Sequence, residues 1–99
     1  MIKIKIHEAY RKICAICDAD LIGKKFQEGN LQLDVKESFY DGEMVNEAQA
    51  IEIMRSARVD DATFNIVGKE AVNIALKAGI INKQGLIKIQ GIPHALGLI

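Results

Sequence analysis

The chain has 99 residues, of which 49% are hydrophobic, and its 13 basic and 13 acidic side chains give a formal net charge of zero. This length predicts a single domain over residues 1–99, because domains are commonly about 100 to 150 residues long. The longest apolar run, residues 13–17, is far shorter than the roughly 20 residues of a membrane-spanning helix. We therefore expect no membrane partner and a cytoplasmic location, which the two cysteines also favour, since they are too few for a disulfide framework.

Alternating hydrophobic and charged residues predict three strands in the first third of the chain. Residues 2–6 alternate isoleucine with lysine, and residues 12–17 follow after a short turn, so the two segments should pair as an antiparallel hairpin. Residues 31–35 alternate in the same way and predict a third strand, whereas glycines mark residues 23–29 as a loop. Residues 38–43 combine turn chemistry with two aromatics, which predicts either a packed loop or a binding loop.

The second half of the chain is predicted to contain two helices and two further strands. Asn46 and Gln49 have the spacing of a capping box, which predicts a helix over residues 47–58. A strand, a helix and a strand follow, at residues 62–67, 68–78 and 86–90. Such a unit pairs its two strands in parallel through a right-handed crossover. The predicted fold class is therefore α+β, a small mixed sheet of about five strands (an N-terminal antiparallel hairpin plus a C-terminal βαβ unit) packed against two helices.

The best candidate site lies where the two strands of the C-terminal unit would end, since ligands of open α/β sheets bind outside that edge. Gly68 would leave backbone amides free at the start of a helix, and Lys69 adds a positive charge, which suits a phosphate or carboxylate. A tight turn with a solvated lysine accounts for the same two residues. Pro93 and His94 would lie across from them, with His94 either a general acid or base or a partner of the backbone. The chain has no Walker lysine motif and no G-x-G-x-x-G, so the usual kinds of nucleotide binding are not expected.

Cys14 and Cys17 have the C-x-x-C spacing of zinc and redox sites. They fall in a predicted strand, where residues three apart point to opposite faces, so the two sulfurs would not share a metal. A second such pair is missing, and only two histidines remain as nitrogen ligands. We therefore predict structural cysteines, no metal site and no cofactor.

Four short segments, read together, carry a resemblance to a known family. They are residues 17–29, which contain Leu-x-Gly-Lys-x-Phe-x-Glu-Gly, and residues 39–42, 65–68 and 91–95, the last of which read Gly-x-Pro-His-Ala. In combination they resemble the archaeal domain of unknown function 424 family, over about residues 4–95. The resemblance implies a small stand-alone α+β protein without assigned activity, associated with the archaeal translation machinery and the neighbourhood of an initiation-factor subunit. The residues that match its motif positions are Gly23, Phe26, Glu28, Gly29, Phe39, Tyr40, Gly68, Pro93 and His94.

These observations favour a non-catalytic binding module associated with translation, whose partner is RNA or a translation-factor protein. Phe39 and Tyr40 would stack on bases, while lysines would neutralise phosphates. The alternative is a small enzyme or anion-binding protein with a site at the loops Gly68–Lys69 and Gly91–His94, using His94 with Lys69 or Glu28. A structural role, with one sheet face or edge buried in a homo-oligomer or larger assembly, is a third hypothesis.

The charge is distributed unevenly along the chain despite the net value of zero. Residues 1–25 carry six basic and three acidic groups, residues 26–61 three and nine, and residues 62–99 four and one, for segment charges of +3, −6 and +3. If the first and last segments share a face, that face is basic and the first long helix is acidic. Neutrality argues against a DNA partner or a nonspecific nucleic-acid coat, but it leaves a local anion site open.

Overall fold

The computed structural model describes residues 1–98, which form eight strands, three α-helices and two short 3-10 helices and confirm the α+β class. The strands are β1 (Ile2–His7), β2 (Ile13–Asp18), β3 (Lys25–Glu28), β4 (Leu31–Asp34), β5 (Glu43–Val45), β6 (Thr63–Val67), β7 (Ile87–Ile89) and β8 (Ile92–Leu98). The helices are α1 (Glu37–Tyr40), α2 (Glu47–Val59) and α3 (Lys69–Lys77). No helix within the described residues is long and apolar enough to cross a membrane.

Six of the strands form one mixed sheet in the order β5-β1-β2-β6-β8-β7. The predicted antiparallel hairpin of β1 and β2 is confirmed, with Ile4 opposite Ile16. The parallel pair of the sheet is β2 with β6, in which Cys14 lies opposite Phe64. The other neighbouring strands are antiparallel.

The C-terminal strand-helix-strand unit is present, but its two strands are not neighbours as the sequence predicted. β6 and β7 both pair antiparallel with β8, so they run in the same direction with β8 between them. The cause is the turn at Gln90 and Gly91, whose φ angles of 52° and 78° are both positive. Two such residues form a tight hairpin turn, which folds β8 back against β7.

Two segments predicted as loops are more ordered than expected. Residues 25–28 form β3, which pairs with β4 in a separate two-stranded sheet. Residues 37–45 contain α1 and β5. Tyr40 in α1 is buried, which agrees with the packed loop, one of the two predicted alternatives, rather than with a binding loop. The predicted capping box of α2 is confirmed by the reciprocal bonds of Asn46 and Gln49.

Both faces of the six-stranded sheet are covered, which gives the protein two hydrophobic clusters. On the face that we call the helix side, α2 and α3 pack over residues such as Ile4, Cys14, Ile16, Phe64 and Ile66. On the hairpin side, the β3-β4 hairpin and α1 pack over residues such as Ala15, Cys17, Val67 and Ile89. Cys14 and Cys17 therefore lie on opposite sides of the sheet, as the strand periodicity predicts.

Candidate functional site

The two loops that were expected to meet do approach each other at one edge of the sheet. Gly68 follows β6 and donates its amide to the carbonyl oxygen of Pro93, 2.9 Å away at the start of β8. The two loops lie close together because β8 begins at the end of the sheet where β6 and β7 finish. Ligand sites of α/β sheets commonly lie at such an edge.

A cavity of about 310 Å³ lies at this edge, between α3 and β7. We call it the Lys69 groove, and it is lined by Lys69, Val72, Asn73, Leu76, Lys88, Gly91 and Pro93. Four of these residues recur at the i, i+3, i+4 and i+7 spacing of one helix face. Two of the lining residues are basic and none is acidic, and neither lysine forms an ion pair among residues 1–98.

Lys88 is the charged residue of the groove that the sequence did not predict. It lies directly opposite Pro93 in the antiparallel pair of β7 and β8. The position of Lys88 in the groove follows only from that pairing. The sequence does contain one signal for the hairpin, since Gly91 stands at the second position of its two-residue turn.

The backbone amides at the start of α3 are already occupied by a carboxylate of the same chain. Asp18, at the end of β2, accepts hydrogen bonds from Ala71 N at 2.8 Å and from Glu70 N at 3.2 Å. Burial raises the pKa of Asp18, while these two backbone bonds act in the opposite direction. An external anion would have to displace Asp18 from the amides, so the lysine side chains are the free positive groups of this edge.

His94 lies on the other side of the sheet from the Lys69 groove. It pairs with Val67, which belongs to the hairpin-side cluster, whereas the groove is lined by Val72 and Leu76 of α3 on the helix side. Burial lowers the pKa of His94. The structure therefore does not bring His94 and Lys69 together in one site.

Glu28 lies near the same edge, but its carboxylate supports a turn. Glu28 Oε1 accepts a hydrogen bond from Gln90 N at 2.7 Å, and the Gln90 side chain donates to the carbonyl oxygen of Gln27 at 2.9 Å. These bonds fasten the β7-β8 turn to the β3-β4 hairpin. The Glu28 carboxylate is therefore the acceptor of a backbone amide in this turn, and Glu28 does not line the Lys69 groove.

Phe39 and Tyr40 do not form the exposed aromatic surface that base stacking would need. Tyr40 is buried, and burial raises its pKa to about 12. Phe39 is half-buried and stacks on His7 with ring centroids 4.6 Å apart. Tyr10 is fully exposed, but it lies in the β1-β2 turn, at the end of the sheet that is opposite to the Lys69 groove.

Three of the six basic residues in residues 1–25 are engaged within the chain. Lys3 pairs with Asp41 at 2.8 Å and Lys12 pairs with Asp60 at 2.9 Å, while Lys5 donates to the carbonyl oxygen of Ser38 at 2.8 Å. Two charges of this segment are therefore compensated by carboxylates of the acidic segment, residues 26–61. Arg11, Lys24 and Lys25 have no ion pair among residues 1–98, as is also true of the two lysines of the Lys69 groove.

The two thiols are not available as nucleophiles in the folded chain. Burial raises the pKa of both Cys14 and Cys17 to about 12, so both remain protonated at neutral pH. Within residues 1–98, no group of three or more His, Cys, Asp or Glu side chains is placed to hold a metal ion. What the described residues offer at the sheet edge is an apolar groove with two positive charges.

Comparisons with known proteins give a family and a fold. The family model described as "Protein of unknown function (DUF424)" matches residues 6–98. A crystal structure of an uncharacterized conserved protein from Methanopyrus kandleri is 23% identical and superposes with a TM-score of 0.81, over 96% of this chain and 88% of that chain. At this identity the likeness shows a shared fold. No curated protein matches the chain.

Proposed function

We propose that this chain, which belongs to the DUF424 family of proteins of unknown function, is a non-catalytic binding module that contacts RNA in the translation machinery. The translation setting is what the family resemblance implies, and a role there would place the protein in the cytoplasm. The observation that carries RNA contact is the Lys69 groove, whose charged lining residues are both lysines.

The groove offers the two kinds of contact that single-stranded RNA requires. Lys69 and Lys88 supply the positive charge that phosphates need. Val72, Leu76 and Pro93 supply an apolar surface on which a base or ribose can pack. Because aliphatic side chains replace the aromatic platforms of common RNA-binding sites, the contact is expected to be weaker than base stacking on aromatics.

Two lysines also set how strongly the binding should depend on salt. Each phosphate contact to a single strand contributes a slope of about −0.7 to the dependence of log K on log salt, so two contacts predict about −1.4. A much steeper slope would point to diffuse binding over the whole surface. A local site in a neutral protein should show the shallow slope.

The test is an NMR titration of ¹⁵N-labelled protein at low salt with transfer RNA and with a 12-nucleotide single-stranded RNA. We expect the largest shifts at Asn73, Lys88 and Gly91. The double variant Lys69→Gln/Lys88→Gln should weaken binding at least about tenfold, which is about 1.4 kcal/mol. Absence of shifts at low salt would contradict the proposal.

The matched control is the double variant Lys36→Gln/Arg55→Gln, which removes the same charge from exposed positions outside the groove. It should change the affinity by less than about threefold, because distant exposed charges are screened. Equal losses in the two double variants would mean that net charge, not the groove, governs binding. Binding of duplex DNA as tightly as of RNA would argue against RNA as the partner.

A small anionic ligand is the second candidate, because the groove volume of about 310 Å³ is at the lower end of small-molecule sites. A mononucleotide and inorganic phosphate test it in the same titration. If either shifts the groove amides as strongly as the 12-nucleotide RNA does, the small-ligand function is favoured over RNA contact.

A further inference from the structure

A second groove lies near the side of the sheet formed by β5 and β1. It lies between α2 and the end of β1 that does not pair with β5. It has a volume of about 410 Å³, and we call it the α2 groove. It is lined by Ile6, Lys12, Glu43, Val45, Gln49, Glu52, Ile53, Ser56, Ala57 and Asp60. In the sheet order, β2, β6 and β8 lie between β1 and the edge strand β7 of the Lys69 groove. The two grooves are therefore separate surfaces.

The β1 backbone is open beside this groove. Ala19 N donates to Met1 O at 2.9 Å, so the odd-numbered residues of β1 direct their backbone groups toward β2. The even-numbered residues then face β5, because backbone groups alternate sides along a strand. β5 pairs with β1 only as far as Ile4, so the amide and carbonyl of Ile6 face outward without a strand partner among residues 1–98.

The groove beside Ile6 is apolar at its floor. Ile6 is 37% exposed, although most isoleucines of this chain's sheet are buried. Ile53 of α2 lines the same groove and is only partly buried against the helix-side cluster. An extended segment laid along Ile6 would cover both side chains and satisfy the open backbone groups, as strand addition does at other sheet edges.

The charged residues at the rim of the groove determine which charge a binding partner should carry. Of the acidic residues there, Asp60 pairs with Lys12 at 2.9 Å. Glu43 and Glu52 are exposed, and neither has an ion pair within the described part of the chain. Two unpaired carboxylates beside an apolar floor favour a segment that carries positive charge and repel a phosphate backbone.

We propose that the α2 groove docks an extended segment of a partner protein in which apolar residues are flanked by lysine or arginine. The segment's backbone pairs with the amide and carbonyl of Ile6, an apolar side chain packs between Ile6 and Ile53, and the basic side chains reach Glu43 and Glu52. This contact does not depend on the proposed RNA contact at the Lys69 groove.

The probe is a capped peptide of sequence Lys-Lys-Val-Thr-Val-Lys-Lys, titrated into ¹⁵N-labelled protein. Two peptides of the same length serve as controls, one with serine in place of both valines and one with glutamate in place of all four lysines. The first peptide should shift the amides of Ile6 and Ile53 most strongly. The serine peptide should bind at least about tenfold more weakly and the glutamate peptide more weakly still.

The charge requirement is tested by the double variant Glu43→Gln/Glu52→Gln. It should weaken peptide binding at least about tenfold, since it removes both unpaired carboxylates. The control Asp20→Asn/Glu37→Gln removes the same charge from exposed positions outside the groove and should bind nearly as wild type does. Urea denaturation and the ¹⁵N spectrum of each variant establish that it is folded.

Three results would overturn the proposal. They are equal binding of the valine and serine peptides, shifts that map outside the α2 groove, and equal affinity of the two double variants. Sedimentation equilibrium adds a fourth check. If the wild-type protein is a dimer, and if Glu43→Gln/Glu52→Gln or Ile53→Gln converts it to a monomer, the groove binds a second copy of the chain instead.

Discussion

Gly68 is a residue at which both the backbone conformation and the packing exclude a side chain. Its φ is +106°, and a Cβ there would lie 2.6 Å from both carboxylate oxygens of Asp18. We expect Gly68→Ala to lower the free energy of unfolding by about 2 to 4 kcal/mol, because the new residue would be strained and would displace Asp18 from its bonds to the start of α3. Urea denaturation followed by circular dichroism measures the loss.

Gly29→Ala measures the cost of a positive φ at a position where no atom opposes the new Cβ. Gly29 also has a positive φ, +60°, but no atom lies within 4 Å of a Cβ built there. Its substitution should therefore cost only about 1 to 2 kcal/mol, the price of the left-handed conformation alone. If the two variants lost equal stability, the contact between Gly68 and Asp18 would contribute nothing.

His94 should make the stability of the protein depend on pH near neutrality. Burial lowers the pKa of His94 in the folded chain, whereas in the unfolded chain it should be about 6.5. The unfolded state then binds the proton more readily, so the stability is complete above about pH 6.5 and falls as the pH is lowered below it. One proton accounts for at most about 1.4 kcal/mol per pH unit.

The comparison is between wild type and His94→Gln, each unfolded with urea at pH 7.5, 6.5 and 5.5. The free energy of unfolding of wild type should fall more steeply toward pH 5.5 than that of the variant. Asp18, whose pKa is raised, is present in both proteins, so its contribution cancels in the difference. Parallel pH profiles would show that His94 does not titrate differently in the two states.

At the scale of single elements, the sequence predicts best where the signal is local. Ile2 and Ile4 alternate with lysines, and the structure buries both on the helix side of β1. Asn46 Oδ1 accepts from Gln49 N at 2.8 Å, and Asn46 N donates to Gln49 Oε1 at 3.0 Å, as the capping-box spacing predicts. Each of these signals involves neighbours within a few residues, so no knowledge of the fold is needed to read it.

β8 could not be predicted in the same way, because its stability comes from distant partners. Pro93, the second residue of β8, disfavours a strand when it is read alone. The strand forms because it pairs with β6 on one side and β7 on the other, and the carbonyl oxygen of Pro93 accepts the amide of Gly68. The groove residue Lys88 and the capping carboxylate of Asp18 depend on the same long-range register. Sequence patterns therefore located the edge of the site but not its full lining.

At the scale of the whole molecule, one sheet separates two hydrophobic clusters of different size. The helix-side cluster joins strands of the sheet to α2 and α3 and contains the larger number of buried side chains. The hairpin-side cluster is smaller and is closed by the short β3-β4 hairpin and the four-residue α1. A layer held by fewer buried side chains should open more readily than the rest of the fold.

Cys14 and Cys17 report on the two clusters separately, because each is fully buried on its own side of the sheet. In the single-cysteine variants Cys17→Ala and Cys14→Ala, we expect a thiol reagent to label Cys17 at least about tenfold faster than Cys14 at low urea, through opening of the hairpin layer alone. Cys14 should label only through global unfolding, so its rate should rise more steeply with urea. Equal rates and equal urea dependence, in variants of matched stability, would mean that the two layers open together and that the molecule unfolds as one cooperative unit.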